Sequence, residues 1–210
     1  VLHYGIDLQR FRATPEARTA LKKEIGLPDD ALVIGHVGRF APQKNHVFIV
    51  ALIPHILAGI PNAYFVFVGD GPLRSKVQQD VRKAALEGRV RFLGSRPDVP
   101  SLMTNLFDLL LFPSRHEGLP LTLIEAQAAG CPVVCSDEIS PETFVLEELF
   151  RPISLKAAIS QWVEAVHEAI RTRRPSPEEC VSRLSQTDFD LLCSVERLAQ
   201  VYFFLAEKRN

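Results

Sequence analysis

The stretch Ser114-Arg-His-Glu117-Gly118-Leu119-Pro120-Leu121-Thr122-Leu-Ile-Glu125-Ala-Gln-Ala-Ala-Gly130-Cys-Pro-Val-Val134 carries two carboxylates eight positions apart. On a helix, eight steps return a side chain to nearly the same face, about 12 Å further along the axis. Glu117 and Glu125 could therefore look into one cleft as acceptors for hydroxyl groups. Gly118 permits close backbone approach, and Pro120 suits a first helical turn. The amides of Leu121 and Thr122 would then stand free at a positive helix N-terminus, a natural berth for phosphate. Hydroxyl acceptors beside phosphate donors point to a phosphorylated sugar. A glycosidase carboxylate pair and two merely solvated glutamates are the competing accounts.

A second group lies in Gly38-Arg39-Phe-Ala-Pro-Gln-Lys44-Asn45. Arg39 and Lys44 can clamp a diphosphate and stabilise it as a leaving group, or they are two solvated loop cations. Gly69-Asp70-Gly71-Pro72 makes a good turn without any ligand. His116, beside the expected helix start, is read as a solvated or capping imidazole. Neither the dinucleotide fingerprint nor a P-loop is present, which counts against a nicotinamide-dependent enzyme and a P-loop nucleotidase.

The elements that must position these residues follow from hydropathy. Ala31–Val37, Ala63–Val68, Arg89–Leu93, Phe107–Phe112 and Pro132–Cys135 are short, nearly continuous apolar runs, as expected of parallel strands buried on both faces. Helical patterns fall at about 46–58, 72–86, 98–106 and 119–129, with Pro54 expected to kink the first and Gly88 and Gly130 as stops. Alternation of this kind predicts an α/β fold, a Rossmann-like doubly wound parallel sheet with flanking helices. Each strand end opens into glycine or charge, where such sheets bind ligands. Leu155–Ile170 and Asp188–Lys208 form a C-terminal helical extension joined by a polar connector, with Asp188 capping the last helix.

The 210 residues are 47% apolar and 23% charged with net charge -1, which gives no electrostatic case for nucleic acid or an anionic membrane. No apolar run reaches a membrane span. Cys131, Cys135, Cys180 and Cys193 lack zinc-ligand spacing and are read as buried thiols in a reducing cytoplasm. The chain starts without Met or a signal peptide, and is read as a fragment or as lacking its beginning.

The Glu117…Glu125 pattern followed by Ala-Ala-Gly-Cys-Pro-Val-Val resembles the signature of retaining glycosyltransferases of GT-B architecture, glycosyltransferase group 1. Tyr4-Gly-Ile-Asp7 with Phe11, Gly38-Arg39 with Lys44, and Gly69-Asp70-Gly71-Pro72-Leu73 match in the same order, so the resemblance covers roughly residues 1–140. It implies the C-terminal, nucleotide-sugar-binding half of a two-domain enzyme: a core at about 14–153, C-terminal helices at 154–208, and an absent N-terminal acceptor-binding domain. Catalytic roles fall by resemblance on Arg39, Lys44 and Glu117. Donor binding falls on Gly38, Arg39, Lys44, Arg96, Val99, Glu117, Gly118, Leu119, Leu121, Thr122 and Glu125. In that scheme Arg39 and Lys44 hold the diphosphate, Glu117 the sugar hydroxyls and Glu125 the ribose. The loop from Ser95 to Val99 faces the base through backbone near Arg96, and Leu119, Leu121 and Thr122 offer amides.

The resemblance further implies a UDP-sugar donor, retention through a front-face substitution, no cofactor and no metal. The acceptor would be a glycan or lipid-linked molecule, in a polysaccharide or glycan pathway. The location would be cytoplasmic, with peripheral membrane attachment through the absent domain as an option. A non-catalytic nucleotide or sugar-phosphate binding domain is the alternative. Two departures stand out. The loop after the last core strand reads Ser136-Asp-Glu-Ile-Ser-Pro141-Glu142 without the expected glycine pair, and 143–153 is compressed.

Overall fold

A computed structural model describes residues 3–207, with side chains described as far as Tyr202. Six parallel strands form one sheet: β1 (Leu32–Val37), β2 (Ala63–Val68), β3 (Val90–Gly94), β4 (Leu109–Phe112), β5 (Val133–Ser136) and β6 (Phe150–Ile153), in the order β3-β2-β1-β4-β5-β6. The chain runs outward from β1 to one edge, then returns to β1's other side to build the second half. The reversal leaves a crevice at the carboxyl ends of β1 and β4.

Helices cover both faces. On one side α2 (His46–Gly59), α3 (Arg74–Lys83) and α6 (Ile159–Arg171) pack through Ile53, Val77 and Trp162 against Phe65, Phe67 and Leu111. On the other, α1 (Ala17–Ile25), α4 (Val99–Ser101) with its π-helical continuation Leu102–Leu106, α5 (Leu121–Ala128) and α7 (Pro177–Leu184) bury Leu21, Leu106, Leu123 and Leu184 against Val33, Val66 and Leu110. Inward residues on both faces explain why the strands read as unbroken apolar runs. Ile6, Leu8 and Phe11, ahead of α1, also enter this second core. A last helix, α8 (Leu191–Glu207), follows α7.

The α/β class and five of the strands match the sequence expectation within a few residues; other elements differ. α1 was not anticipated: it has few apolar positions, and its clearest sign is Gly26 at φ 70, closing it as a left-handed cap. α3 stops at Lys83, where Ala85 rather than Gly88 takes the left-handed turn at φ 55. α2 is one helix through Pro54. Gly130 does end α5, at φ 61. The region 143–153 holds β6, an edge strand whose Pro152 is tolerated because an edge leaves amides unpaired anyway. The expected polar connector contains α7, capped by Ser176, whose Oγ accepts from the Glu179 amide at 3.2 Å. α8 is capped by Asp190, not Asp188: Oδ1 accepts from the Leu192 and Cys193 amides at 2.8 and 3.2 Å. Asp188 instead pairs with His3 and Arg197.

Cys131, Cys135 and Cys180 are buried free thiols and Cys193 is half-buried. Burial pushes the first two to about 11 and about 12, far from reactive thiolates. The last helix ends in the apolar run Val201-Tyr-Phe-Phe-Leu205, of which the side chains of Phe203 and Leu205 lie outside the described residues. Among the described residues, no helix is long and apolar enough to cross a membrane.

Candidate functional site

The site grows from two strand ends. After β1, Gly38-Arg39-Phe40 leads into a 3-10 turn, Pro42–Lys44, and Asn45 turns the chain into α2 at φ 55. Asn45 suits that left-handed step because a short polar side chain tolerates it. The loop after β2 supports this one from beneath. Phe40 N–H donates to Asp70 at 2.9 Å and Leu73 N–H to Phe40 at 3.0 Å. Gly69 (φ 129) is obligatory there, since a Cβ would lie 2.1 Å from the Gly38 oxygen. The Gly69–Pro72 motif is thus a turn that seats the Gly38 loop.

After β4, residues 113–117 are stitched to the same turn. Asn45 Nδ2 donates to the Pro113 carbonyl at 3.2 Å, the Arg115 amide to Gln43 at 2.8 Å, and Gln43 Nε2 to the His116 carbonyl at 2.6 Å. The stitching ends in an ion pair: Lys44 Nζ donates to Glu117 Oε1 at 2.6 Å, the two side chains only 14% and 9% exposed. The Lys44 stem lies on Gly38, where a Cβ would approach it to 3.1 Å, and its ammonium stands 4.4 Å from the centre of the Phe112 ring. Gly38 therefore has a local reason to be glycine.

Glu117 is not helical. It pairs by backbone with Ile139 of the loop after β5, four residues ahead of α5. The helical-period argument thus does not apply; loop pairing and Lys44 orient Glu117, and the loop at 137–142 reaches the site through Ile139. Pro120 is the N-cap of α5 rather than its first residue, so Leu121 and Thr122 open the helix with amides ahead of its first internal bonds. Leu119 and Thr122 are half-buried; Gly118 and Leu121 are exposed.

Glu125 sits on α5 half-buried, and burial raises its pKa against the opposing field of Arg10. Arg39 is exposed and makes no ion pair among the described residues. Arg96 is not free: Asp98 accepts from Nε and Nη2 at 2.7 Å each, and Glu24 accepts from Nη1 at 2.7 Å. That fork stiffens the 95–99 loop and ties up its charged side chains, leaving the backbone and exposed Ser95 to meet a ligand, with half-buried Val99 starting α4. His116 is exposed, as a solvated imidazole should be.

Sequence reasoning missed what lies under the turn. His36 of β1 and His46, first in α2, meet edge to face at 4.6 Å, and His46 stacks on Phe40 at 4.1 Å. Burial, with His46 and then Lys44 nearby, drives His36 down to about 3, and burial with Lys44 nearby drives His46 down to about 4, so both are neutral. It also missed Arg10, whose Nη2 donates to the Pro97 carbonyl at 2.6 Å. Only the Lys-Asn pair before an apolar helix hinted at the Asn45 turn.

A groove of about 700 Å³ between α2 and α6, lined by His55, Val163, Glu164 and His167, holds none of these residues. It lies across the sheet from α5, and its charged lining, Glu164 and Arg171, is separate from the loop cluster, which brings Lys44, Glu117 and exposed Arg39 to one pair of strand ends and is the better candidate. Among the described residues no group of three or more His, Cys, Asp or Glu could hold a metal ion.

Comparison with known proteins decides the family. The profile described as glycosyl transferases group 1 matches residues 17–183. This chain belongs to that family. It is 36% identical over 208 residues to EpsF of Bacillus subtilis (strain 168), covering 99% of this chain and 54% of that protein. It is 33% identical over 140 residues to UDP-Gal:alpha-D-GlcNAc-diphosphoundecaprenol alpha-1,3-galactosyltransferase of Escherichia coli, covering 65% of this chain and 36% of that one. The chain spans about half or less of the length of these curated relatives. Among solved structures, Anabaena HepE in complex with UDP superposes with TM-score 0.75 at 21% identity, over 96% of this chain and 56% of that one. The C-terminal domain of a group 1 family protein, LpcC from Francisella tularensis, aligns with TM-score 0.66 and 22% identity, over 90% of this chain and 96% of that domain. The group 1 fold is therefore that of a GT-B C-terminal Rossmann-like domain.

Proposed function

We propose that this chain is the donor-binding half of a retaining, metal-independent glycosyltransferase that takes its sugar from a UDP-sugar. The observation that carries the proposal is the Lys44–Glu117 pair at the β1–β4 crevice, beside exposed Arg39 and the open start of α5. One cation and one carboxylate, already in register, match a diphosphate joined to a hydroxylated ring. Solved complexes of HepE with UDP and UDP-glucose, on the same fold, favour UDP.

In this scheme Arg39 and Lys44 hold the diphosphate and stabilise its charge as the glycosidic bond breaks, the work a divalent metal would otherwise do. Lys44 is shared: a phosphate oxygen replaces or joins Glu117 as its partner. Glu117 then turns to the sugar hydroxyls. Glu125 accepts from the ribose, backbone near Arg96 and Val99 meets the base, and the amides of Gly118, Leu119, Leu121 and Thr122 line the donor. The acceptor enters on the sugar's leaving-group face and gives its proton to the departing diphosphate, so configuration is retained without a protein base. A glycan or lipid-linked acceptor, on an N-terminal domain of the whole polypeptide, completes a cytoplasmic enzyme of polysaccharide or glycan synthesis.

Calorimetric titration with UDP tests the donor site. The chain should bind, and Arg39→Ala should weaken binding by about tenfold or more, as loss of a charge-assisted contact does. Absence of UDP binding, or Arg39→Ala equal to wild type, overturns the proposal. A binding domain without transfer is the second account. A full-length protein that binds donor but neither transfers nor hydrolyses it would establish that account.

A further inference from the structure

His3 stands where the start of the described chain lies along the connector between α7 and α8. Ile6 N–H donates to the Phe189 carbonyl at 2.8 Å, Leu191 N–H to Ile6 at 3.1 Å, and Ser194 Oγ to the His3 carbonyl at 2.8 Å. Gly5 permits so close an approach, since a Cβ there would lie 2.5 Å from the Asp190 oxygen. The His3 ring packs on Phe189, centroids 5.1 Å apart. Both ring nitrogens are closed to solvent and make no hydrogen bond among the described residues. Each faces a carboxylate instead: Nδ1 lies 3.6 Å from Asp188 Oδ2, and Nε2 lies 3.7 Å from Glu142 Oε2.

A neutral imidazole has one N–H and one lone pair, so one of these carboxylates would meet a lone pair. Only the imidazolium donates to both. The carboxylates differ in their other partners. Asp188 also pairs with Arg197 of α8, and the neighbouring Asp190 is engaged in capping that helix. Glu142 is 68% exposed and has no other ion pair among the described residues. It belongs to the 3-10 turn Pro141–Thr143 in the loop after β5. The far side of that turn is held to α5, where Gln127 Nε2 donates to the Thr143 carbonyl at 2.8 Å. Its near side runs back to buried Ile139, whose backbone pairs with Glu117. A bond from His3 to Glu142 therefore braces the strip of chain on which Glu117 rests.

We infer that His3 is a positioning residue for Glu117: its imidazolium clamps Glu142 to Asp188 and holds the loop after β5 in place, so that donor binding tightens as His3 takes up a proton. The inference rests on the donor-site proposal, in which Glu117 takes the sugar hydroxyls. When the proton leaves to solvent, Asp188 keeps Arg197 while Glu142 is left to water, so the loop is released and the connector is not. With one partner so exposed, the effect is a few-fold one.

The test measures the affinity of the 210-residue chain for UDP-glucose by calorimetry at about pH 6 and about pH 8, on either side of an ordinary imidazole. The charge of UDP-glucose is constant between them. Wild type should bind about threefold more tightly at the lower pH. His3→Gln and Glu142→Gln should each keep the weaker affinity at both, and the double variant should match either single one. Hydrogen exchange of residues 137–144, corrected for intrinsic rate, should slow at the lower pH in wild type and not in His3→Gln. Exchange needs no ligand, so it decides the clamp whatever sugar the site takes. A pH dependence that survives His3→Gln belongs to another group, such as exposed His116, and overturns the inference, as does exchange that ignores pH. Failure of the donor-site proposal looks different: wild type then binds neither UDP nor UDP-glucose at either pH, or Arg39→Ala binds UDP as wild type does, while exchange still responds.

Discussion

Lys44 and Glu117 neutralise each other in a place largely closed to water, and removing either partner has opposite effects on stability and on binding. Lys44→Ala strands a carboxylate that is 9% exposed, which costs about 3–5 kcal/mol in comparable pairs. Lys44→Met keeps the stem on Gly38 and should cost less. Glu117→Gln does the reverse for ligand: it leaves the ammonium without its counter-charge, so UDP lacking a sugar should bind several-fold more tightly, while transfer by the full-length protein collapses. Calorimetry with UDP against a turnover assay separates the two. Equal or weaker UDP binding by Glu117→Gln would show that Lys44 is not shared. The imidazoles below respond to acid instead. His36 and His46 titrate near 3 and 4 when folded but near 6.5 when unfolded. Below about pH 6.5 the unfolded chain takes up protons that the folded chain refuses, so stability falls from there toward pH 4 and is complete above 6.5. His46→Phe retains the stack on Phe40 and should flatten that fall. Urea midpoints at pH 7.5 and 5.0 measure it, and an unchanged slope would refute it.

Gly69 and Gly35 tie the sheet's elements to the site. Gly69→Ala must push back the Gly38 carbonyl, and Gly35→Ala meets the Phe107 ring at 2.3 Å. Gly69→Ala should cost about 2 kcal/mol or more, some 4–8 °C in a chain this size, and weaken UDP binding as the loop shifts. Gly26→Ala has open space around its Cβ, so only its φ of 70 penalises it and the cost should be smaller. Differential scanning calorimetry of the three variants gives the ranking. Five strands were legible because a sheet covered on both faces must be continuously apolar. β6 was not, because Phe150-Arg-Pro-Ile is a half-covered edge and lacks that pattern. α7 could have been found from Ser176 and Glu179, a cap with its acidic first turn. The site residues were visible as types, but their pairing was not. Lys44 and Glu117 meet across 73 residues, and Arg10 and Pro97 across 87. Local spacing cannot encode such contacts; the helical-period argument for Glu117 failed for that reason.

Beyond the crevice, the surface is uneven. Leu191, Leu192, Val195, Leu198 and Tyr202 of α8 are exposed, with Tyr4 78% exposed at the other end of the described chain. Residues 191, 195, 198 and 202 fall on one helical stripe. In the proposed two-domain enzyme, that stripe is covered by structure outside this chain. Leu191→Lys with Val195→Glu should leave thermal unfolding of the chain nearly unchanged. In the full-length protein the same pair should destabilise. Equal tolerance in both would show that nothing covers the stripe.

The strand order has a consequence in time. β1 sits between β2 and β4, so a chain emerging from its N-terminus completes the cationic turn long before its counterpart exists. Up to residue 108, β1 has an open edge, Gly35 lacks the Phe107 ring's neighbouring strand, and Lys44 has neither Glu117 nor the Phe112 ring. An exposed parallel edge invites wrong partners, and pairings this distant in sequence form slowly. The proposed donor site is therefore no transplantable motif: nascent or truncated chains that stop short of β4 should carry Arg39 and Lys44 and yet fail to bind UDP.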